Sequence, residues 1–529
     1  VDAGAENMAG DASSSIPDIN PWIVAIAVMF PTFMEVLDTT VVNVSLPHIA
    51  GSLAATVDEA TWALTTYLVA NAIILPMTGW LANYFGRKRL LMLAVTGFTT
   101  ASFLCGLSLN LPSLLSFRVL QGACGGALQP ISQAIMLEAF PPEDRGKAMG
   151  FWGVGIVVAP ILGPMLGGWL TDNYSWRWVF YINVPIGIIS LFLTHTFIFD
   201  PSYVRRKSGR IDFWGIGMLA LGIGSLQVLL DQGQQKDWFG SDEIRILATL
   251  AAFGLLAFVI RELKTSVPVV DLSALKIPTY STGVFLMTVL GFVLYGSLVL
   301  LPIMLQTLFG YPALEAGITM SPRGIGSLIA MPLVGSMLTR IGGRKLLALG
   351  FASGGLTLFW LGDINLQAGF WDLCWPQFFQ GISLALLFVP LTTVTMDPIP
   401  NEGMGNATSI FNLMRNIGGS LGIATSTTLL ARRRQSNFDL LGSNIAPSSI
   451  QLRSVYSRIR SGFMARGKSD LEASNLANAT IISLLERQSS MRSFIEVFRS
   501  LGLIFLLVLP LLLIMKSRQT KGKPALEAM

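Results

Sequence analysis

Apolar runs long enough to cross a bilayer, separated by short polar breaks, recur along the whole chain. The first, residues 21–47, is interrupted by Glu35, Asp38, Thr39, Thr40 and Asn43 before it ends at Pro47. Five more follow at 59–84, 90–109, 113–138, 147–171 and 178–199, then a pair at 213–230 and 244–260. A second group of six occupies 279–305, 316–338, 346–361, 371–396, 404–431 and 494–515. The pattern predicts fourteen spanning helices, an all-α polytopic membrane protein. Short connections make sequence neighbours antiparallel, and an even count places both chain ends on one side.

The two groups of six repeat one another. Gly79-Trp-Leu-Ala-Asn-Tyr-Phe-Gly86-Arg87-Lys-Arg-Leu90 recurs 256 residues later as Gly335-Ser-Met-Leu-Thr-Arg-Ile-Gly342-Gly-Arg-Lys-Leu346. Gln121-Gly122 recurs as Gln380-Gly381, and Ala159, Gly163 and Gly167 as Gly418, Gly422 and Ser426, each 259 residues on. The expected organisation is a 6+2+6 arrangement with pseudo-symmetric halves: a disordered tail (1–20), a six-helix bundle (21–199), a linker with two inserted helices (200–278), a second bundle (279–516) and a short tail (517–529). A repeat of this kind builds its site between the halves and favours alternating access.

Composition agrees with a membrane solvent. Of 529 residues, 52% are hydrophobic and only 13% charged, where about a quarter charged is usual for soluble domains. A net charge of +5 then reports topology and gives no reason to expect nucleic acid. Arg87–Arg89, Arg145, Lys147, Arg205–Lys207, Arg210, Arg261, Lys264, Lys276, Arg340, Arg344, Lys345 and the tail cations from Lys516 fall on one face, which the positive-inside rule makes cytoplasmic. The acidic, lysine-free start lacks the basic beginning of a secretory signal. Cys105, Cys124 and Cys374 lie in apolar segments and His48 and His195 stand far apart, so neither a disulfide framework nor a metal site is expected. With no P-loop and no nucleophile–histidine arrangement, an enzyme, a cofactor and ATP-driven transport find no support.

The chemistry concentrates where hydrocarbon tolerates it least. Glu35 and Asp38 are three apart and share a helical face, which should look into a protein-lined or wet cavity. Removing a carboxylate from water disfavours its charged form, so this helix is the candidate proton-handling element. Arg118 lies within an apolar helix and needs a partner: Asp38 and Glu35 are the nearest candidates, and a cation beside a carboxylate favours proton release. Alternatively, Arg118 snorkels or bonds carbonyls. Arg415, flanked by Asn412 and Asn416, is a second intramembrane cation that could face an anionic substrate group, and Asn43, Gln121, Asn412 and Arg415 form the candidate substrate set.

Two backbone features join these side chains. The Gly79–Leu90 loop puts a tight glycine turn and three cations at the membrane surface, either as a plain anchor or as a device that tunes which side opens. Gly155, Ala159, Gly163 and Gly167 are spaced by four, a smooth face for close helix approach, with Pro160 and Pro164 expected to bend that helix. The polar stretch 432–491 should lie outside, as a solvated loop or a docking surface, with Ser469-Asp-Leu-Glu472 opening a helix over 471–487.

These stretches resemble the major facilitator superfamily, and within it the fourteen-helix, EmrB-like drug:proton antiporters. Leu37-Asp38-Thr-Thr-Val-Val-Asn43-Val-Ser-Leu-Pro47 is similar to that branch's first-helix motif, Gly79–Leu90 to the superfamily loop motif, Arg118–Gly126 to the proton-linked fourth-helix motif and Gly153–Gly168 to the antiporter motif. Trp176-Arg-Trp-Val-Phe-Tyr-Ile-Asn183-Val-Pro185-Ile-Gly187 resembles a further hallmark. Asn83 stands where the loop usually carries Asp, which keeps the turn and removes the acid. The resemblance implies proton-driven export of amphipathic toxic compounds from a bacterial inner membrane, often with a periplasmic adaptor and an outer-membrane channel. It makes Asp38 a proton site, Arg118 its modulator and Gly163-Pro164 part of an interface that repacks between states; Glu35 rests on position alone. A metabolite transporter and a non-transporting receptor or scaffold remain the alternatives. An acid turned toward lipid, or sealed away from any chamber between the halves, would be incompatible with the proton role.

Overall fold

The computed structural model describes residues 20–200, 212–265, 268–443 and 450–515, and every regular element among them is helical. The expected tails and the cations Arg205–Lys207 and Arg210 lie outside the described residues. A first group comprises α1 (Pro21–Ser52), α2 (Val57–Ile74), α3 (Thr78–Phe85), α4 (Arg87–Gly106), α5 (Leu111–Gly125), α6 (Leu128–Ala139), α7 (Arg145–Asn173), α8 (Trp178–Tyr181) and α9 (Asn183–Phe197). Next come α10 (Phe213–Gln232) and α11 (Asp242–Lys264). The second group comprises α12 (Pro278–Thr307), α13 (Ala313–Ile341), α14 (Gly343–Leu361), α15 (Phe370–Met396), α16 (Met404–Ser443), α17 (Ile450–Met464) and α18 (Asp470–Leu507). Among the described residues, eleven helical stretches are long and apolar enough to cross a membrane.

The small-residue face of α7 lies against α1, the helix that carries both acids. A side chain at Gly163 would run into Thr40, and one at Gly167 into Val41. The second group repeats the arrangement with α16 on α12, where Gly418 meets Thr288 and Gly422 meets Phe292 through their backbones. Such backbone-close packing needs no hydrophobic driving force, only the absence of Cβ atoms. Helix α7 runs unbroken through Pro160 and Pro164.

Both described chain ends lie on one face. Trp22 packs edge-on against Phe140, Arg87 and Arg145 both reach Asn401, Gly343 faces Val394, and Arg344 donates to the carbonyls of Leu512 and Leu513. On this terminal face the two groups meet backbone to backbone. Gly79 sits against Gly405 and Asn406 of α16, and Gly335 against Gly146 of α7. The repeated motif thus places one close glycine contact on each side of the seam. The turns after α3 and α13 are built by Gly86 and Gly342 at φ of +89° and +88°, values that favour glycine.

Helices α10 and α11 pack together and α10 lies against α2 and α16. The Asp212 carboxylate caps α10 and accepts a forked hydrogen bond from Arg261 of α11, and that guanidinium holds it below the usual carboxylate range.

The stretch 432–491, expected to be mostly loop, is largely helical where it is described. Helix α16 continues to Ser443, α17 follows, and α18 starts from a capping box in which Ser469 and Glu472 bond each other's backbone amides. At about 1.5 Å per residue, the 40 residues of α16 and 38 of α18 outreach a hydrocarbon core of about 30 Å. Both helices therefore project as an arm on the face opposite the termini. Polarity marked this segment as outside lipid, and a helix in water carries no apolar run to announce it.

Candidate functional site

The first acid is enclosed. Asp38, with no exposed surface, accepts hydrogen bonds from Arg118 Nη1 at 2.6 Å, Asn183 Nδ2 at 2.8 Å and Gln121 Nε2 at 2.9 Å. Arg118 is equally buried: its Nε donates to the Ala63 carbonyl at 2.8 Å, and its guanidinium lies 4.2 Å from the ring centre of Tyr67. Of the two expectations for Arg118, partner to an acid or bond to a carbonyl, it does both. Asn183 also donates to Ser102, tying α9 and α4 into the same knot. The glycines Gly122 and Gly126 let α5 approach the backbone of α2 closely enough to form it.

The second acid, about one turn earlier on α1, meets different chemistry. Glu35 accepts from Asn71 Nδ2 at 3.1 Å and from Gln129 Nε2. The other end of that glutamine amide, Gln129 Oε1, accepts from Arg415 of the second group. One turn along α6, Gln133 Oε1 accepts from Asn412 at 2.5 Å, and Thr408 donates to the Pro130 carbonyl. Glu35 therefore sits at the seam between the helix groups, bound directly only by neutral amides.

The expectation that both acids look into one cavity is not met. A three-residue step turns side chains by about 60° around a helix, and here that turn carries Asp38 into the first group and Glu35 toward the second. The break at Gly126–Ala127 divides the same two environments, with Arg118 and Gln121 on α5 and Gln129 and Gln133 on α6. Asp38 is bonded only within the first group, whereas Glu35, also buried, bonds Gln129, which reaches Arg415 of the second.

The remaining expected residues divide likewise. Gln121 belongs with Asp38, and Asn412 and Arg415 belong with Glu35, whereas Asn43 is exposed further along α1 and apart from both clusters. Gly163 packs on α1 within its own group, and α7 meets the second group through Gly146, Gly150 and Gly153. Arg87 of the loop motif pairs with Glu138, a buried acid at the end of α6, and donates to the Asn401 carbonyl across the seam at 3.3 Å.

Asn71, Gln129, Gln133 and Asn183 were not singled out as site residues. Gln129 and Gln133 gave a usable signal, two amides four apart in an otherwise apolar helix, and Asn183 stood in a recognised stretch without a role.

Energetics separate the two acids. Protonating Asp38 would strand Arg118 as an uncompensated buried charge, and breaking such a pair costs about 3–5 kcal/mol. Protonating Glu35 strands no contacting cation, and an amide can accept from a carboxylic acid as readily as it donates to a carboxylate. The geometry holds Asp38 in a buried ion pair with Arg118 and leaves Glu35 bonded to neutral amides at the seam.

Residues 28–423 match the family model described as Major Facilitator Superfamily. The chain is 40% identical over 452 residues to the multidrug export protein EmrB of Haemophilus influenzae, covering 84% of this chain and 88% of that protein. It is 37% identical over 496 residues to the fatty acid resistance protein FarB of Neisseria gonorrhoeae, covering 93% and 96%. Among solved structures it resembles the human organic anion transporter MFSD10, with a TM-score of 0.61 at 13% identity, covering 93% of this chain and all of that one.

Proposed function

Because the chain belongs to the Major Facilitator Superfamily, we propose that it works as a proton-coupled antiporter, exporting amphipathic drugs or toxic compounds by alternating access. It is a secondary active transporter, and relatives named for multidrug export and fatty acid resistance support this substrate range. The observation that carries the reading is the chain Glu35–Gln129–Arg415, which joins an ionisable acid of one helix group to a cation of the other. Protonation of Glu35 removes the charge that holds Gln129 in register with Arg415, loosening the seam. A proton entering down the membrane potential supplies about 2.3 kcal/mol per 100 mV.

The eleven apolar stretches, together with the helical segments α5–α6, α14 and α16, support fourteen spans in a 6+2+6 order. In the short loops basic residues gather on the terminal face, with little opposite beyond Arg177, Lys236 and Arg245, which supports cytoplasmic termini and a bacterial inner membrane; the long arm, basic from Arg432 on, falls outside a rule that counts short loops. Hydrogen bonds between the two groups run from that face to the depth of Glu35, which supports a state closed to the cytoplasm. The helical arm on the other face would then be periplasmic and available to an adaptor serving an outer-membrane channel.

The test is counter-transport in proteoliposomes, with lipophilic cations and amphipathic acids under an imposed pH gradient. Substrate accumulation that follows the gradient and collapses when it is dissipated is the expected result. Accumulation indifferent to the gradient, or none for any compound that binds, would overturn the reading.

A further inference from the structure

The internal repeat that relates the two helix groups does not conserve their charge. The 256-residue step that takes Gly79 to Gly335 takes Tyr67 to Arg323, and the 259-residue step from Gln121 to Gln380 takes Arg118 to Gln377. The second group thus keeps one buried guanidinium in the corresponding region but moves it from the α5 counterpart to the α2 counterpart. What it does not keep is the acid. Helix α12, which stands in the place of α1, contains no Asp or Glu, and the residue that Arg323 meets there is Ser297, at 3.4 Å.

Arg323 is only 7% exposed, and among the described residues no carboxylate pairs with it. Of the cations buried in the apolar spans, Arg118 is neutralised directly by Asp38, and Arg415 reaches Glu35 through Gln129. Arg323 has neither arrangement. Beside it is a cavity about the size of one water molecule, lined by Arg323, Gln380 and Ser383 on its polar side and by Leu290, Leu387 and Phe505 on its apolar side. Gln380 Oε1 accepts from Gln377 Nε2 at 3.4 Å, which leaves the Gln380 NH2 as the group with donors to offer. A buried guanidinium without a carboxylate partner, beside an amide and a hydroxyl on a small, largely apolar cavity, makes a chemical surface for an anion.

We propose that the second helix group holds a small monovalent anion of the halide class between Arg323 and the Gln380 amide, where it serves as the counter-ion that Asp38 supplies covalently in the first group. A cavity of this size has no room for an amphipathic tail, and the proposed ligand is a free ion. The site lies inside the second group and is independent of the proton chemistry at Glu35.

The experiment measures thermal unfolding of the full chain in detergent, in sodium chloride, bromide, sulfate and gluconate at matched ionic strength. The wild-type midpoint is expected to rise by a few degrees and saturate with chloride or bromide relative to gluconate, whereas sulfate gives only the unsaturating rise of an excluded salt. Arg323→Gln removes the halide dependence. Ser297→Asp also removes it, by placing a carboxylate beside the guanidinium, and its midpoint in gluconate equals or exceeds that of wild type. Should Arg323→Gln fail to fold, the Ser297→Asp comparison decides alone. A wild-type midpoint equal in chloride and gluconate, a rise equal for all salts, or halide dependence retained in either variant would overturn the proposal.

Discussion

At the residue scale, two acids one turn apart on the same helix have opposite constraints. Asp38 is bound by a cation and two amides, so its charge is part of the structure. Replacing it by Asn keeps the shape and leaves Arg118 buried without its counter-charge. We expect Asp38→Asn to lower stability by about 3–5 kcal/mol, read as a fall in the denaturation midpoint in detergent, and Asp38→Asn with Arg118→Gln to recover most of it. An Asp38→Asn protein as stable as wild type would contradict the fixed-pair description. Both acids and both cations were legible in the sequence because charge in an apolar run is conspicuous. Their division was not, since a side chain's direction within a bundle depends on where the neighbouring helices stand. The amides Asn71, Gln129 and Asn183 escaped for a related reason: a neutral polar residue in a membrane helix is common, and only its partner gives it meaning.

At the element scale, the glycine positions decide what can approach what. Gly79 and Gly335 close the seam on the terminal face, so a bulky residue at either should pry the groups apart there. Gly79→Leu or Gly335→Leu is expected to expose α16, raising maleimide labelling of an Ala407→Cys probe several-fold in a background without the three native cysteines, whereas Gly217→Leu, which meets open space, leaves it unchanged. Labelling unaffected at both seam positions would contradict this account of the closure. The Asp212–Arg261 fork makes a pH prediction. Because the folded carboxyl titrates below its ordinary range, its contribution is present above that range and is lost as pH falls through the lowered value. Hydrogen exchange at the first turn of α10, corrected for the intrinsic rate, should stay slow at neutral pH, quicken in acid, and be fast throughout in Arg261→Gln. The helices themselves were legible from apolar run length. In the arm beyond α16 the capping box at Ser469 and the helix after it were legible, whereas the extension of α16 and helix α17 were not, because a helix in water gives no membrane signal.

At the scale of the whole molecule, the repeat fixes where helices pack but not what chemistry they carry. The α7-on-α1 and α16-on-α12 contacts reproduce one another, while α1 carries the buried acids Glu35 and Asp38 and its counterpart α12 carries no acid. In the proposed mechanism this asymmetry lets a charge change at Glu35 reach Arg415 through Gln129. If proton and substrate compete through that seam, linkage requires each to weaken the other's binding by the same factor. The most direct measurement is proton release when a transported compound is added to purified protein in weakly buffered detergent solution. The account predicts that wild type releases protons on binding substrate and that Glu35→Gln binds it without release. Equal release from Glu35→Gln, or none from wild type at saturation, would contradict it.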